Sequence, residues 1–247
     1  MKIYGLIGRS LGHSFSEKYF AEKFKKENIR DCQYFNFELK DLGNEIPELK
    51  KKPDLAGLNV TIPYKTEILP FLDEISTEVS EINACNCIKI KDGKWKGYNT
   101  DIIGFEKSFV PHLKPFHKKA LVLGTGGASK AVVFVLKKLG IDFLKVSRNK
   151  SEAKGIISYE DLSEEMMKEF QIMINTTPLG TFPNINESPE LPYGEITNQH
   201  YFFDLIYNPS KTQFLSLAEK KGAVIENGSQ MLMLQAEESW KIWNENG

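Results

Sequence analysis

Ala120-Leu121-Val122-Leu123-Gly124-Thr125-Gly126-Gly127-Ala128-Ser129 is the stretch on which the fold of this chain turns. Four apolar residues read as a buried strand, and the glycines that follow read as a tight turn. Ala128, Ala131, Val132, Val135, Leu136 and Leu139 then recur at spacings of three and four, the stripe of an amphipathic helix that Gly140 ends. Strand, glycine turn and helix in phase make the opening unit of a dinucleotide-binding sheet. The glycines let the backbone approach a pyrophosphate, and the helix start offers N–H groups and a positive dipole. Gly124, Thr125, Gly126, Gly127 and Ala128 are therefore candidate cofactor residues. Ser129 stands in place of the third glycine of the fuller fingerprint. An ordinary strand-to-helix turn is the alternative, and the phase of the apolar stripe favours the cofactor.

The next strand, near 142–146, ends in Ser147-Arg148-Asn149-Lys150. An NAD site usually has a carboxylate there to accept from the ribose hydroxyls. Here Arg148 and Lys150 suit a 2′-phosphate instead, so NADP is expected over NAD by at least about tenfold. Further strands are expected near 171–174 and 201–205.

Upstream, Gly57-Leu58-Asn59-Val60-Thr61-Ile62-Pro63-Tyr64-Lys65 is a short apolar strand that Pro63 stops and a lysine follows. A lysine at a strand end together with a nucleotide turn points to hydride transfer, with proton transfer by Lys65. Strands are expected near 2–7, 33–39, 55–61, 86–91 and 94–98, the last two joined by Asp92-Gly93, a two-residue hairpin signal. Helices are expected near 16–28, 65–72 and 73–82, from Thr100 as cap to about 109, and from about 229 onward. On that last helix Leu232, Gln235, Ala236, Ser239, Trp240 and Trp243 share a stripe. Gln235 is thus either a hydrogen-bonded core amide or a ligand contact. The fold class is α/β.

The 32 basic and 33 acidic side chains leave a net charge of −1, with no basic stripe to hold nucleic acid. No apolar run nears the ~18 residues that span a bilayer. Met1–Gly8 reads as a strand rather than a signal segment. Cys32, Cys85 and Cys87 form no disulfide framework, and Cys85 and Cys87 lack further ligands nearby, so no metal site is expected. A cytoplasmic, reducing setting follows from the cysteine usage.

Several blocks, in order, resemble the shikimate dehydrogenase family. They are Gly12-His13-Ser14-Phe15-Ser16, Asn59 to Lys65, Asn86, Gly97-Tyr98-Asn99-Thr100-Asp101, Gly124 to Ala128 and Ser147-Arg148-Asn149. Asn175-Thr176-Thr177-Pro178-Leu179-Gly180, Asp204-Leu205-Ile206-Tyr207-Asn208-Pro209 and Asn227-Gly228 through Gln235 complete the set. The chain departs from the family pattern at Glu17, at Asn83-Ala84-Cys85-Asn86-Cys87, at Ser147 and Asn149, and at Thr181.

The resemblance implies reversible reduction of 3-dehydroshikimate by NADPH, with Lys65 and Asp101 as the catalytic pair. It implies substrate contacts from Ser14, Ser16 and Tyr207 at the carboxylate, and from Asn59, Thr61, Asn86 and Gln235 at the hydroxyls. Ser147, Arg148, Asn149, Thr176 and Gly228 join the glycine turn on the cofactor. It also implies a mixed-sheet substrate domain of 1–101 plus 223–247 and a Rossmann-type NADP domain of 102–222, in a monomer or homodimer. His13 is given no catalytic role. Quinate as substrate is the neighbouring reading. A ligand-binding sensor is the reading from another class, which Lys65 and Asp101 argue against.

Overall fold

A computed structural model describes residues 1–12 and 14–245, and His13 lies outside them. The chain divides into two compact units, Met1–Thr100 with Ala236–Gly247, and Asp101–Gln235.

The first unit runs β1 (Lys2–Gly8), α1 (Phe15–Lys26), β2 (Cys32–Glu38), α2 (Leu42–Lys50), β3 (Leu55–Val60), β4 (Glu74–Ile75), α3 (Thr77–Ile82), β5 (Cys87–Lys91) and β6 (Lys94–Tyr98). Among the described residues these six strands form one mixed sheet, ordered β2-β1-β3-β5-β6-β4. β1 pairs parallel with β2 and β3, while β3–β5 and β5–β6 are antiparallel. Asp92 and Gly93 both take positive φ, +52° and +76°, which makes the β5–β6 turn the tight hairpin expected of them. Ser14 caps α1 by accepting from Glu17 N, and Asp41 caps α2 by accepting from Gly43 N. One core lies between the sheet, including Trp95 of β6, and Ile46, Leu49, Tyr64 and Ile68.

The other face is covered by α1 and by the end of α8 (Gly228–Asn244), whose residues from Ala236 belong to this unit. Trp243 stacks on Tyr4 at 4.8 Å between ring centroids and donates from Nε1 to Ile88 O at 3.0 Å. Gly57 in β3 makes room for it, because a Cβ there would lie 2.4 Å from Trp243 Nε1.

The second unit runs α4 (Thr100–Phe109, its first residue in the other unit), β7 (Lys119–Leu123), α5 (Gly127–Lys138), β8 (Asp142–Val146), β9 (Ile156–Ile157), α6 (Glu164–Glu169), β10 (Ile172–Asn175), β11 (Tyr201–Asp204), α7 (Gln213–Glu219) and β12 (Val224–Glu226), then enters α8. All strand pairs here are parallel, in the order β12-β11-β10-β7-β8-β9. Counted from β7 this is the 3-2-1-4-5-6 order of a doubly wound dinucleotide fold, read from its other edge. The centre of the sheet is apolar on both faces, as a parallel sheet between helices requires: Leu121, Leu123, Met173 and Phe202 on one face and Val122, Ile174 and Phe203 on the other are fully buried.

The two helices expected at 65–72 and 73–82 do not form as read. Residues 62–68 wind through turns, Glu74–Ile75 is a strand on β6, and only Thr77–Ile82 is helical. Pro70 removes a helical donor, and Ile68 and Leu72 are drawn into the sheet core instead. Thr100 is the first residue of α4 rather than its cap.

Candidate functional site

In the first unit the candidate residues gather after the C-terminal ends of β1 and β3, and around the segment entering β5. The Ser14 hydroxyl serves the α1 cap at 3.4 Å from Glu17 N. Ser16, the second residue of the helix, is buried. Thr61, just past β3, donates its N–H to Ile7 O at 2.9 Å.

The turns after Thr61 are held at several points. Tyr64 is buried, and its hydroxyl donates to Leu39 O at 2.5 Å while Arg9 Nε approaches it at 3.5 Å. Lys65 O accepts from Cys85 N at 2.7 Å. Lys65, half-buried, therefore extends from backbone that is held on both sides.

Asn59 and Asn86 are almost wholly buried, at 4% and 3% exposure. Asn86 accepts from Thr100 N at 2.6 Å through Oδ1, and its own N–H donates to Tyr98 O at 3.1 Å. Asn59 accepts from the Tyr34 hydroxyl and donates to Asn86 O and Ser239 Oγ. Asn59 and Asn86 are thus brought into one buried polar cluster with Tyr34 and Ser239. Cys85 and Cys87, beside Asn86, are buried, and burial pushes the Cys87 thiol well above its ordinary range.

In the second unit the glycine turn lies at the switch point of the sheet, where β7 and β10 are neighbours but their crossovers leave in opposite directions. Gly124 has φ +104°, and a Cβ on it would lie 2.7 Å from Thr176 Oγ1. Thr176, just past β10, donates its hydroxyl to Leu123 O at 2.7 Å. Gly126 is the N-cap of α5 and brings no side-chain acceptor, so the first turn of that helix keeps its amides for another partner. A Cβ on Gly126 would meet nothing within 4 Å. Uncapped amides, an open approach and a positive helix end fit a dinucleotide pyrophosphate.

Past β8, Ser147 N donates to Ile157 O at 2.9 Å, and Arg148 and Asn149 are exposed. Lys150 is answered by Asp161 at 3.3 Å and Glu152 at 3.9 Å, whereas among the described residues Arg148 has no ion-pair partner. Of these two basic side chains, Arg148 rather than Lys150 could therefore hold a 2′-phosphate. Tyr159 borders it: burial raises its phenol and the Arg148 charge partly offsets that.

Asp101 is buried in the first turn of α4. Gly104 lets α4 approach α8 closely, since a Cβ there would lie 2.6 Å from Met231 O and 3.0 Å from Gln235 Cβ. Gln235 is buried on α8 and donates Nε2 to Leu232 O at 3.1 Å. Gly228 is pressed onto backbone, with a would-be Cβ 2.1 Å from Leu205 O. Tyr207 is 39% exposed.

Three residues before Tyr207 is a carboxylate to which the sequence assigned no role. Asp204, fully buried at the end of β11, accepts from Asn175 Nδ2 at 3.0 Å, Ile206 N at 3.1 Å and Thr212 Oγ1 at 2.5 Å. Asn175 Oδ1 in turn accepts from Thr177 N and Oγ1. The loops that carry Thr176 and Tyr207 are thereby tied to one group. Burial lifts the Asp204 carboxyl to about 6, against the three hydrogen bonds that favour its charged form. Among the described residues no helix is long and apolar enough to cross a membrane.

The family model of the shikimate dehydrogenase substrate binding domain matches residues 6–88. The shikimate dehydrogenase (NADP(+)) of Caldicellulosiruptor bescii is 40% identical over 258 residues, covering 98% of this chain and 89% of that protein. The crystal structure of shikimate dehydrogenase from Aquifex aeolicus superposes with a TM-score of 0.87 at 35% identity, covering 99% of this chain and 92% of that one. The Thermus thermophilus shikimate 5-dehydrogenase, solved with NADP(H) and shikimate, gives 0.85 at 28% identity, with 99% and 94% covered.

Proposed function

The chain belongs to the shikimate dehydrogenase family, and from that premise we propose that it interconverts 3-dehydroshikimate and shikimate with NADP. The observation that carries the reading is similarity running through 98% of the chain to a relative bearing that name. The glycine turn at the switch point and the exposed Arg148 beside it support the cofactor assignment.

Bound NADPH supplies the hydride that reduces the ring ketone. The residues of the chain handle the rest. The Lys65 ammonium donates a hydrogen bond to the ketone oxygen, then transfers the proton as that oxygen becomes the hydroxyl. In the oxidative direction the neutral amine takes the hydroxyl proton. Asp101 favours the charged amine and orients it. Ser14, Ser16 and Tyr207 hold the substrate carboxylate, and Thr61, Asn86 and Gln235 hold its hydroxyls.

The amides at the start of α5, with Gly124 to Ala128, hold the pyrophosphate. Arg148, flanked by Ser147 and Asn149, holds the 2′-phosphate, and Thr176 and Gly228 complete the cofactor contacts. Substrate is assigned to the mixed-sheet unit with α8, and NADP to the parallel-sheet unit. The enzyme is placed in the cytoplasm, as a monomer or homodimer. The test is absorbance at 340 nm with shikimate and NADP+, with quinate and NAD+ in parallel arms. No NADPH formation with shikimate refutes the reading, and a higher kcat/KM for quinate moves the chain to the sister activity.

A further inference from the structure

Asn59 stands in the strand-end block, yet its geometry argues against a primary role in gripping a ligand. Its side chain is 4% exposed and already makes three hydrogen bonds. Oδ1 accepts from the Tyr34 hydroxyl at 3.0 Å, and Nδ2 donates to Asn86 O at 3.2 Å and Ser239 Oγ at 2.9 Å. Both amide hydrogens are spent. The orientation is also determined chemically: a backbone carbonyl can only accept, so Nδ2 must face Asn86 O and Oδ1 must face the phenol.

The same cluster extends through Ser239 back to Asn86. The Tyr34 phenol donates its one proton to Asn59 Oδ1. Ser239 Oγ lies 3.1 Å from Thr100 Oγ1, and Thr100 N donates to Asn86 Oδ1 at 2.6 Å. Thr100 Oγ1 also lies 3.1 Å from Asn86 Nδ2. Ser239 is fully buried, and so is Thr100 at 1% exposure. One continuous polar chain thus runs from Tyr34 through Asn59, Ser239 and Thr100 to the substrate candidate Asn86.

We propose that Ser239 of α8 and Tyr34 of β2 are positioning residues for substrate: through Asn59 and Thr100 they hold the Asn86 amide in binding geometry. The inference rests on the dehydrogenase reading above. Each hydroxyl ties its own element to the Asn59 amide, and each can be deleted with little loss of volume. The aromatic face of Tyr34 is separately engaged, stacked on Phe20 at 4.6 Å, so packing survives loss of the phenol oxygen. Satisfied buried networks hold one arrangement of their members, and loss of one member leaves the next without a partner.

The experiment is steady-state kinetics on Ser239→Ala and Tyr34→Phe, with shikimate and NADP+ each varied at saturation of the other. In both variants kcat/KM for shikimate is expected to fall about tenfold, mainly through KM, while KM for NADP+ stays within about twofold. The double variant is expected to lose less than the product of the single losses, because both act on one amide. An unchanged shikimate KM in both variants, or parallel rises in both KM values, overturns the proposal. If Ser239→Ala does not fold, Tyr34→Phe decides alone. A wild type inactive on shikimate refutes the dehydrogenase reading itself, a result distinct from an active wild type with unaffected variants.

Discussion

Replacing Asp204 by asparagine should remove a pH dependence of stability that this carboxylate imposes. Asp204 sits at the end of β11 with no exposed surface, and burial lifts it from its ordinary 3.8 to about 6. Folding therefore raises its proton affinity. Between pH 3.8 and 6 the folded chain holds a proton that the unfolded chain has released. Stability contributed by this group is fully present below the lower value and is lost as pH rises through the upper one. At 1.36 kcal/mol per pH unit the whole swing is about 3 kcal/mol. Integrated between pH 5 and pH 7.5, the accessible part is about 1.4 kcal/mol.

The assay is urea unfolding of wild type and Asp204→Asn across that range, read as the difference between the two so that other titrating groups cancel. Far-UV circular dichroism is the suitable probe, because Trp95, Trp240 and Trp243 all lie in the first unit and their fluorescence reports that unit. The wild type should gain about 1.4 kcal/mol on the variant as pH falls from 7.5 to 5. A difference constant within about 0.3 kcal/mol would refute the claim that desolvation outweighs the three hydrogen bonds.

Lys65→Ala should lower kcat about 10²-fold with a smaller change in KM; wild-type turnover would remove the lysine from the chemistry. Arg148→Ala should raise KM for NADP+ about tenfold or more and leave the much weaker use of NAD+ nearly unchanged, as titrations with both dinucleotides would reveal. Gly57→Ala should destabilise by roughly 1–3 kcal/mol in urea, because its Cβ would strike the Trp243 ring. The near-ultraviolet tryptophan signal should change with it.

Some elements were legible because their causes are local. β7, its glycine turn and α5 follow from a run of apolar residues, a positive-φ position and a stripe in phase, all within twenty residues. The Asp92-Gly93 hairpin is equally self-contained. α2 escaped notice because Gly43 and Pro47 weaken its helical signal, yet it forms because Leu42, Ile46 and Leu49 are buried together on the sheet. Residues 65–82 misled because helical spacing of apolar groups says nothing about a partner strand. β6 takes up Glu74–Ile75 as a neighbour, and pairing overrides periodicity.

The order of residues alone determined the α/β class, the dinucleotide turn, the basic side chain after the second strand of that unit and the family blocks. Each depends on chemistry between near neighbours. Which polar groups face one another was decided only by the folded chain. Ser239 lies 180 residues from Asn59, and Asp204 lies 29 from Asn175. A hydroxyl or carboxylate acquires its partner, and its proton affinity, from whatever distant segment the sheets and helices bring within hydrogen-bonding reach. No local pattern encodes that distance.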